Sequence, residues 1–83
     1  MAVRFHPHAR QGMIERGARE SEVSSAVQHG ERFEAKHGRA GFRRNFVFEG
    51  RWHGRFYRAK QIEAYAVQEG SDWLVITVIV RYF

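Results

Sequence analysis

Apolar and polar positions along the chain change their period near residue 30. Before it, Ala9 and Met13 recur at i and i+4, and Val23, Ala26 and Val27 at i, i+3 and i+4. That spacing gathers side chains on one face of a helix. Pro7 suits a first helical position, so the pattern predicts a helix over His8–Arg16 that Gly17 ends. A second helix opens at Arg19–Ser21, where Glu20 and Glu22 favour its first turn, and stops at Gly30. Both are short enough to depend on packing for their stability.

From Glu31 onward the period falls to two. Phe33 and Ala35 alternate with charges in a first strand, and residues 37–41 form a loop. Phe42–Glu49 is a second strand, Gly50-Arg51 a tight turn and Gly54 a further break. Lys60–Gln68 is a third strand, Gly70–Asp72 a turn, and Trp73–Phe83 the last and longest strand. The expectation is one α+β domain over residues 1–83, with two N-terminal helices packed on one face of a mainly antiparallel four-stranded sheet.

The last strand is apolar on both faces, which argues for an interior position. Leu74, Ile76, Val78 and Val80 alternate on one face and should meet the helices, together with Ile62, Ala64 and Ala66. The opposite, open face then collects Arg43, Asn45, Gln61, Glu63, Tyr65, Thr77 and Arg81. A slip of one residue in any strand would invert its share.

Composition adds a partner. Eighty-three residues with 43% apolar and 14% aromatic content can build one small core. The absence of cysteine excludes disulfides and thiolate metal sites and fits a cytoplasmic protein. The N-terminus lacks the apolar run of a secretory signal, and the run Trp73–Val80 is too short to span a bilayer, so no membrane association is expected. The formal charge of +5 and pI near 10.4 call for an acidic partner. Between Lys36 and Lys60 lie eight of the fourteen cations, interleaved with Phe42, Phe46, Phe48, Trp52, Phe56 and Tyr57, and Glu49 is the only acid there. Cations spaced by aromatics suit RNA, whose phosphates they neutralise and whose bases they stack.

RNA cleavage without a metal ion needs a base for the ribose 2′-OH, cations for the developing phosphorane and an acid for the leaving 5′-oxygen. Glu63 is the best base, with Arg81 as its cation; the alternative for Glu63 is a structural ion pair with Arg81 or Arg43. His8, in the first turn of a helix, is the best histidine for phosphate or the leaving oxygen, and otherwise caps the helix start. His6, His29, His37 and His53 have weaker claims, and no histidine spacing fits a metal site. Arg39, Arg43, Arg44, Lys60, Gln61, Tyr65 and Thr77 are the candidate RNA contacts. Tyr65 and Trp73 are either base-stacking residues or core. No cofactor is expected.

Several local runs resemble a known family. His8-Ala9, Glu15-Arg16-Gly17 and Glu22-Val23, then Gly30-Glu31, Gly38-Arg39 and Phe42-Arg43-Arg44-Asn45-Phe46 are similar to the pattern of the DUF4258 family. So are Trp52, Gly54, Tyr57, Lys60-Gln61-Ile62-Glu63, Val75-Ile76-Thr77-Val78 and Tyr82-Phe83. The resemblance covers residues 6–83. It implies a RelE-like fold, grouped with toxins such as the MqsR-type messenger-RNA interferases, and a cognate antitoxin of zinc-finger or helix-turn-helix type. One position departs: the family carries Arg four residues after the first histidine, where this chain has Gly12, leaving Arg10 or Arg16 as substitutes. The expected function is therefore that of a toxin and metal-independent endoribonuclease. The alternative is a non-catalytic RNA- or protein-binding module with the same fold.

Overall fold

In the computed structural model, which describes residues 1–83, both expected helices form. Pro7 occupies the first position of α1 (Pro7–Arg16), and the His6 ring accepts a hydrogen bond from the His8 N–H. His6, not His8, is thus the capping residue. Gly17 ends α1 in the left-handed region at φ 79°, which only glycine adopts freely. A Cβ there would also fall 2.7 Å from the Trp52 ring. In α2 (Glu20–His29) the Glu22 carboxylate accepts the Arg19 N–H at 2.9 Å, tying down the first turn. Ala9, Gly12 and Met13 of α1 and Val23, Ala26 and Val27 of α2 are the buried stripes.

The sheet has five strands and is mixed, which corrects the expected four. Their order is β1-β5-β4-β3-β2, for β1 (Val3–Phe5), β2 (Glu31–Glu34), β3 (Ala40–Trp52), β4 (Arg55–Glu69) and β5 (Asp72–Tyr82). The added strand, β1, runs parallel to β5 and pairs Val3 with Trp73 and Phe5 with Val75. Three residues are too few to show a period, so pairing rather than local pattern makes this strand. The other contacts are antiparallel. Gly50-Arg51 is not a turn: Gly50 pairs with Tyr57 and Arg51 with Phe56. The reversal comes at His53-Gly54, where φ values of 51° and 79° fit a two-residue hairpin turn. A bulge between Val47 and Gly50 bends this long hairpin, and Trp52 stacks on Tyr82 at 5.2 Å.

The helices cover one face, α1 over β5 and α2 over β4 and β3. A second bulge changes which β5 residues meet them. Tyr65 pairs with Thr77 but Ala66 with Val75, so Ile76 is an extra residue. Beyond it Val78 and Val80 pack on the helices as expected; before it Trp73 and Val75, not Leu74 and Ile76, enter the core. Lys60 also lies on the covered face, its side chain only 5% exposed, bonded to Gly17 O at 2.9 Å and paired with Glu22 at 2.8 Å. It clasps the link between the helices to the sheet.

Candidate nucleic-acid interface

Cross-strand register builds the open face. Arg43 lies opposite Glu63, which lies opposite Ile79. On either side run the rows Gly41–Tyr65–Thr77 and Asn45–Gln61–Arg81. Side chains of directly opposed residues share a face, so Arg43, Asn45, Gln61, Glu63, Tyr65, Thr77 and Arg81 all stand on the side without helices. Phe33 and Glu31 of β2 join them through their pairing with Gly41 and Arg43.

Glu63 is the centre of this face. Its side chain is 8% exposed, although the sheet around it faces solvent. Tyr65, two residues along the same strand, donates its hydroxyl to Oε1, and Arg81 donates Nη1 to Oε2 at 2.8 Å. Satisfying both oxygens is what allows a carboxylate to be buried. The Glu63 hydrogen bond is the main reason the Tyr65 phenol is raised above its ordinary value near 10, with burial second; Arg81 and Arg43 oppose the shift. Tyr65 therefore keeps its proton at neutral pH and serves as a donor rather than a base.

Arg43 is held differently. Its guanidinium sits 4.2 Å above the Phe33 ring. Nε approaches Glu31 to 3.3 Å, close enough for ion pairing but off hydrogen-bond geometry, and is buried without a hydrogen-bond partner. Gln61 and Asn45 share a side-chain hydrogen bond of 3.0 Å. The face thus presents a carboxylate, a phenol, two guanidiniums and an amide pair within three adjacent rows.

Four expected residues, His8, Lys60, Arg44 and Arg39, lie off these rows. His8 belongs to α1, in the layer packed on the opposite face of the sheet, so it does not meet Glu63 or Arg81. Lys60 is consumed by its buried ion pair, and Arg44 points to the helix side, donating to Ser25 Oγ at 2.8 Å. Trp73 is core, edge-on to Phe42 at 5.1 Å. Arg39 closes the loop between β2 and β3, where His37 and Gly38 have φ of 63° and 70°. His53 stacks on Trp52 in the hairpin turn. No three His, Asp or Glu side chains converge as metal ligands would.

Phe33 is a residue of this face that was not among the expected site residues. Its ring lies where a Gly41 side chain would be and meets Tyr65 edge-on at 5.9 Å. The signal was present: a glycine inside a strand marks a place where another group comes close, and an aromatic paired across from it fills the gap. Compared with known proteins, the chain matches no family model, no curated protein and no solved structure.

Proposed function

We propose that the open face binds RNA and cleaves it without a metal ion, as the toxin of a toxin–antitoxin pair with a RelE-like fold. The observation that carries this reading is the buried Glu63 carboxylate, set between a phenol and a guanidinium on a sheet face that is otherwise open. Arg81 is 54% exposed, so it is the group an incoming phosphate meets first. Turning toward the phosphate, it uncovers Glu63 Oε2. That oxygen takes the 2′-OH proton, the 2′-oxygen bonds to phosphorus, and the bond from phosphorus to the 5′-oxygen breaks. Tyr65 protonates the leaving oxygen and regains a proton from the Glu63 carboxyl group through their shared hydrogen bond. Arg81 and Arg43 stabilise the charge of the phosphorane. The products are a 2′,3′-cyclic phosphate and a 5′-hydroxyl, and the site returns to its starting protonation. The DUF4258 resemblance supports the same reading and with it a cognate zinc-finger or helix-turn-helix antitoxin.

The test is cleavage of total RNA by the purified chain in EDTA, with the cyclic phosphate identified at the new ends. Glu63→Gln, checked for folding by circular dichroism, should lower the rate by about 10²–10⁴. An unchanged rate in the folded variant refutes the mechanism. A second reading, a non-catalytic RNA- or protein-binding module, is favoured by one specific feature: both Glu63 oxygens already have partners and the carboxylate is nearly covered. RNA binding by the parent without cleavage decides for that module.

A further inference from the structure

Beyond Ala59 the sheet narrows to two strands. Phe83 and Ala59 exchange backbone hydrogen bonds of 3.0 and 2.8 Å, and the chain ends there, so residues 48–58 form an arm of β3 and β4 alone. A two-stranded hairpin by itself is marginally stable. This one is pinned along one side. Trp52 stacks on Tyr82 at 5.2 Å and an interplanar angle of 13°, and Phe48 and Tyr57 meet the same ring at 5.2 and 5.5 Å. Tyr82 is itself anchored, donating its hydroxyl to Arg16 O at 2.7 Å. The shape of the arm is thus set before anything binds.

Register decides what the other side presents. Trp52 opposes Arg55 and Gly50 opposes Tyr57, so these four share the side turned to Tyr82. Arg51 opposes Phe56, and Arg58 stands two residues along from Phe56, so these three share the outer side. Burial alternates with them: Gly50, Trp52 and Tyr57 are half-buried, whereas Arg51, Phe56 and Arg58 are exposed, Phe56 by 53%. No other ring or cation lies against Phe56. Arg51 Nη1 donates to Gly54 O at 3.3 Å, but neither Arg51 nor Arg58 has an ion pair. Glu49, the single acid of the arm, has none either.

Exposed arginines alone are ordinary surface residues, and so is one exposed phenylalanine. Here a pinned strand face holds a bare aromatic ring between two guanidiniums that nothing neutralises. An acidic peptide answers the charges and leaves the ring bare; a nucleotide answers both, with its phosphates and its base. We propose that Arg51, Phe56 and Arg58 form a second contact for single-stranded RNA, with one base stacked on Phe56 and the flanking phosphates on the two guanidiniums. The contact is indifferent to base identity, because every base has a π-face. The proposal rests on the RNA reading of the open face and adds a remote contact to it. Phe56 lies seven residues from Glu63 along β4, roughly 20 Å at the rise of a strand, so only a strand of several nucleotides engages both.

The test pairs binding with cleavage. A fluorescent single-stranded RNA and heparin, a polyanion without bases, are titrated against the full chain. Phe56→Ala should weaken RNA binding about fivefold or more, the loss of one stacked base, and leave heparin binding unchanged. Phe56→Leu, which keeps apolar bulk in the strand without an aromatic face, should do the same and separates stacking from folding. Arg51→Ala and Arg58→Ala should weaken both ligands. Parental RNA affinity in both Phe56 variants, or an equal loss for heparin, overturns the contact. Binding of a polyglutamate peptide that fails in Arg51→Ala while RNA affinity stays parental overturns it in favour of an acidic protein. In cleavage, a dinucleotide is too short to reach the arm, so the arm variants should cut it at the parental rate and show a raised KM only on a long strand. RNA binding that depends on Phe56, without cleavage by the parent, keeps the contact and sinks the ribonuclease reading. Cleavage of the long strand with parental KM in every arm variant does the reverse.

Discussion

Removing the Lys60 ammonium would strand the Glu22 carboxylate and the Gly17 carbonyl at the join of α1, α2 and the sheet. Breaking one partner of a buried pair costs more than the pair itself contributes. Lys60→Ala should therefore lose on the order of 3 kcal/mol in urea melts, with part of the loss recovered in the double variant with Glu22→Gln. Its RNA affinity, measured on folded protein, should match the parent, since the ammonium faces the helices. A large affinity loss at full folding would return Lys60 to the interface. Tyr65 and Tyr82 make a second prediction at this scale. Both phenols are raised above 10, Tyr65 chiefly by its hydrogen bond to Glu63 and Tyr82 chiefly by burial, then by Glu22. Unfolded tyrosine ionises near 10, so above that pH the unfolded chain releases protons that the native one keeps. Stability is then full below pH 10 and falls as pH rises through the native values. Tyr65→Phe should flatten that alkaline decline in chemical melts; an unaltered slope would place the shift elsewhere.

At the scale of elements, the β5 bulge sets which truncations matter. Val75 and Val78 are wholly buried, whereas Leu74 and Ile76 are only partly covered. Val75→Ala and Val78→Ala should each cost on the order of 2 kcal/mol, through lost burial and a residual cavity, and Leu74→Ala should cost less. Equal losses in parallel urea melts would contradict the bulge. Helix α1 offers the opposite sign. Gly12 is buried, yet the nearest group to an added Cβ is the flexible end of the Arg16 side chain, with Val78 O at 3.9 Å. Gly12→Ala should thus gain up to about 1 kcal/mol of helix stability, read as a rise of about 4–8 °C in Tm. A fall in Tm would mean that Arg16 cannot move aside. The helices were legible from their 3.6-residue stripes because those stripes are local. Neither bulge was legible, since Ile76 and Glu49 look like ordinary strand residues until a partner strand is placed beside them.

For the whole molecule, the net charge of +5 belongs to several surfaces. The basic stretch 36–60 does not form one patch. Arg43 faces the open side, Lys36 and Arg39 line a groove, Arg44 turns to α2, and Lys60 is buried. Electrostatic binding of a fluorescent single-stranded RNA should weaken steeply with salt, as counterions are released. Arg39→Ala and Arg43→Ala should each reduce the logarithmic salt slope by about 0.7, the value for one phosphate of a single strand. Arg44→Ala should leave the slope nearly unchanged. A slope insensitive to Arg43 would move the interface to the helix side.

By itself the sequence determined the class of the fold and much of one face. Two helices followed by strands, and Arg43, Glu63, Tyr65 and Arg81 on a shared side, follow from periods of 3.6 and 2, which the backbone geometry imposes wherever a chain is helical or extended. Even so, parity alone could not say that Tyr65 and Arg81 would close on Glu63; that required β4 and β5 to pair with Gln61 opposite Arg81. Tertiary structure alone also decided the parallel strand β1, the removal of His8 to the other side of the sheet, the burial of Lys60 and the docking of Phe33 on Gly41. Each depends on which distant segment arrives as neighbour, and a side chain's own residue type and local period carry no record of that.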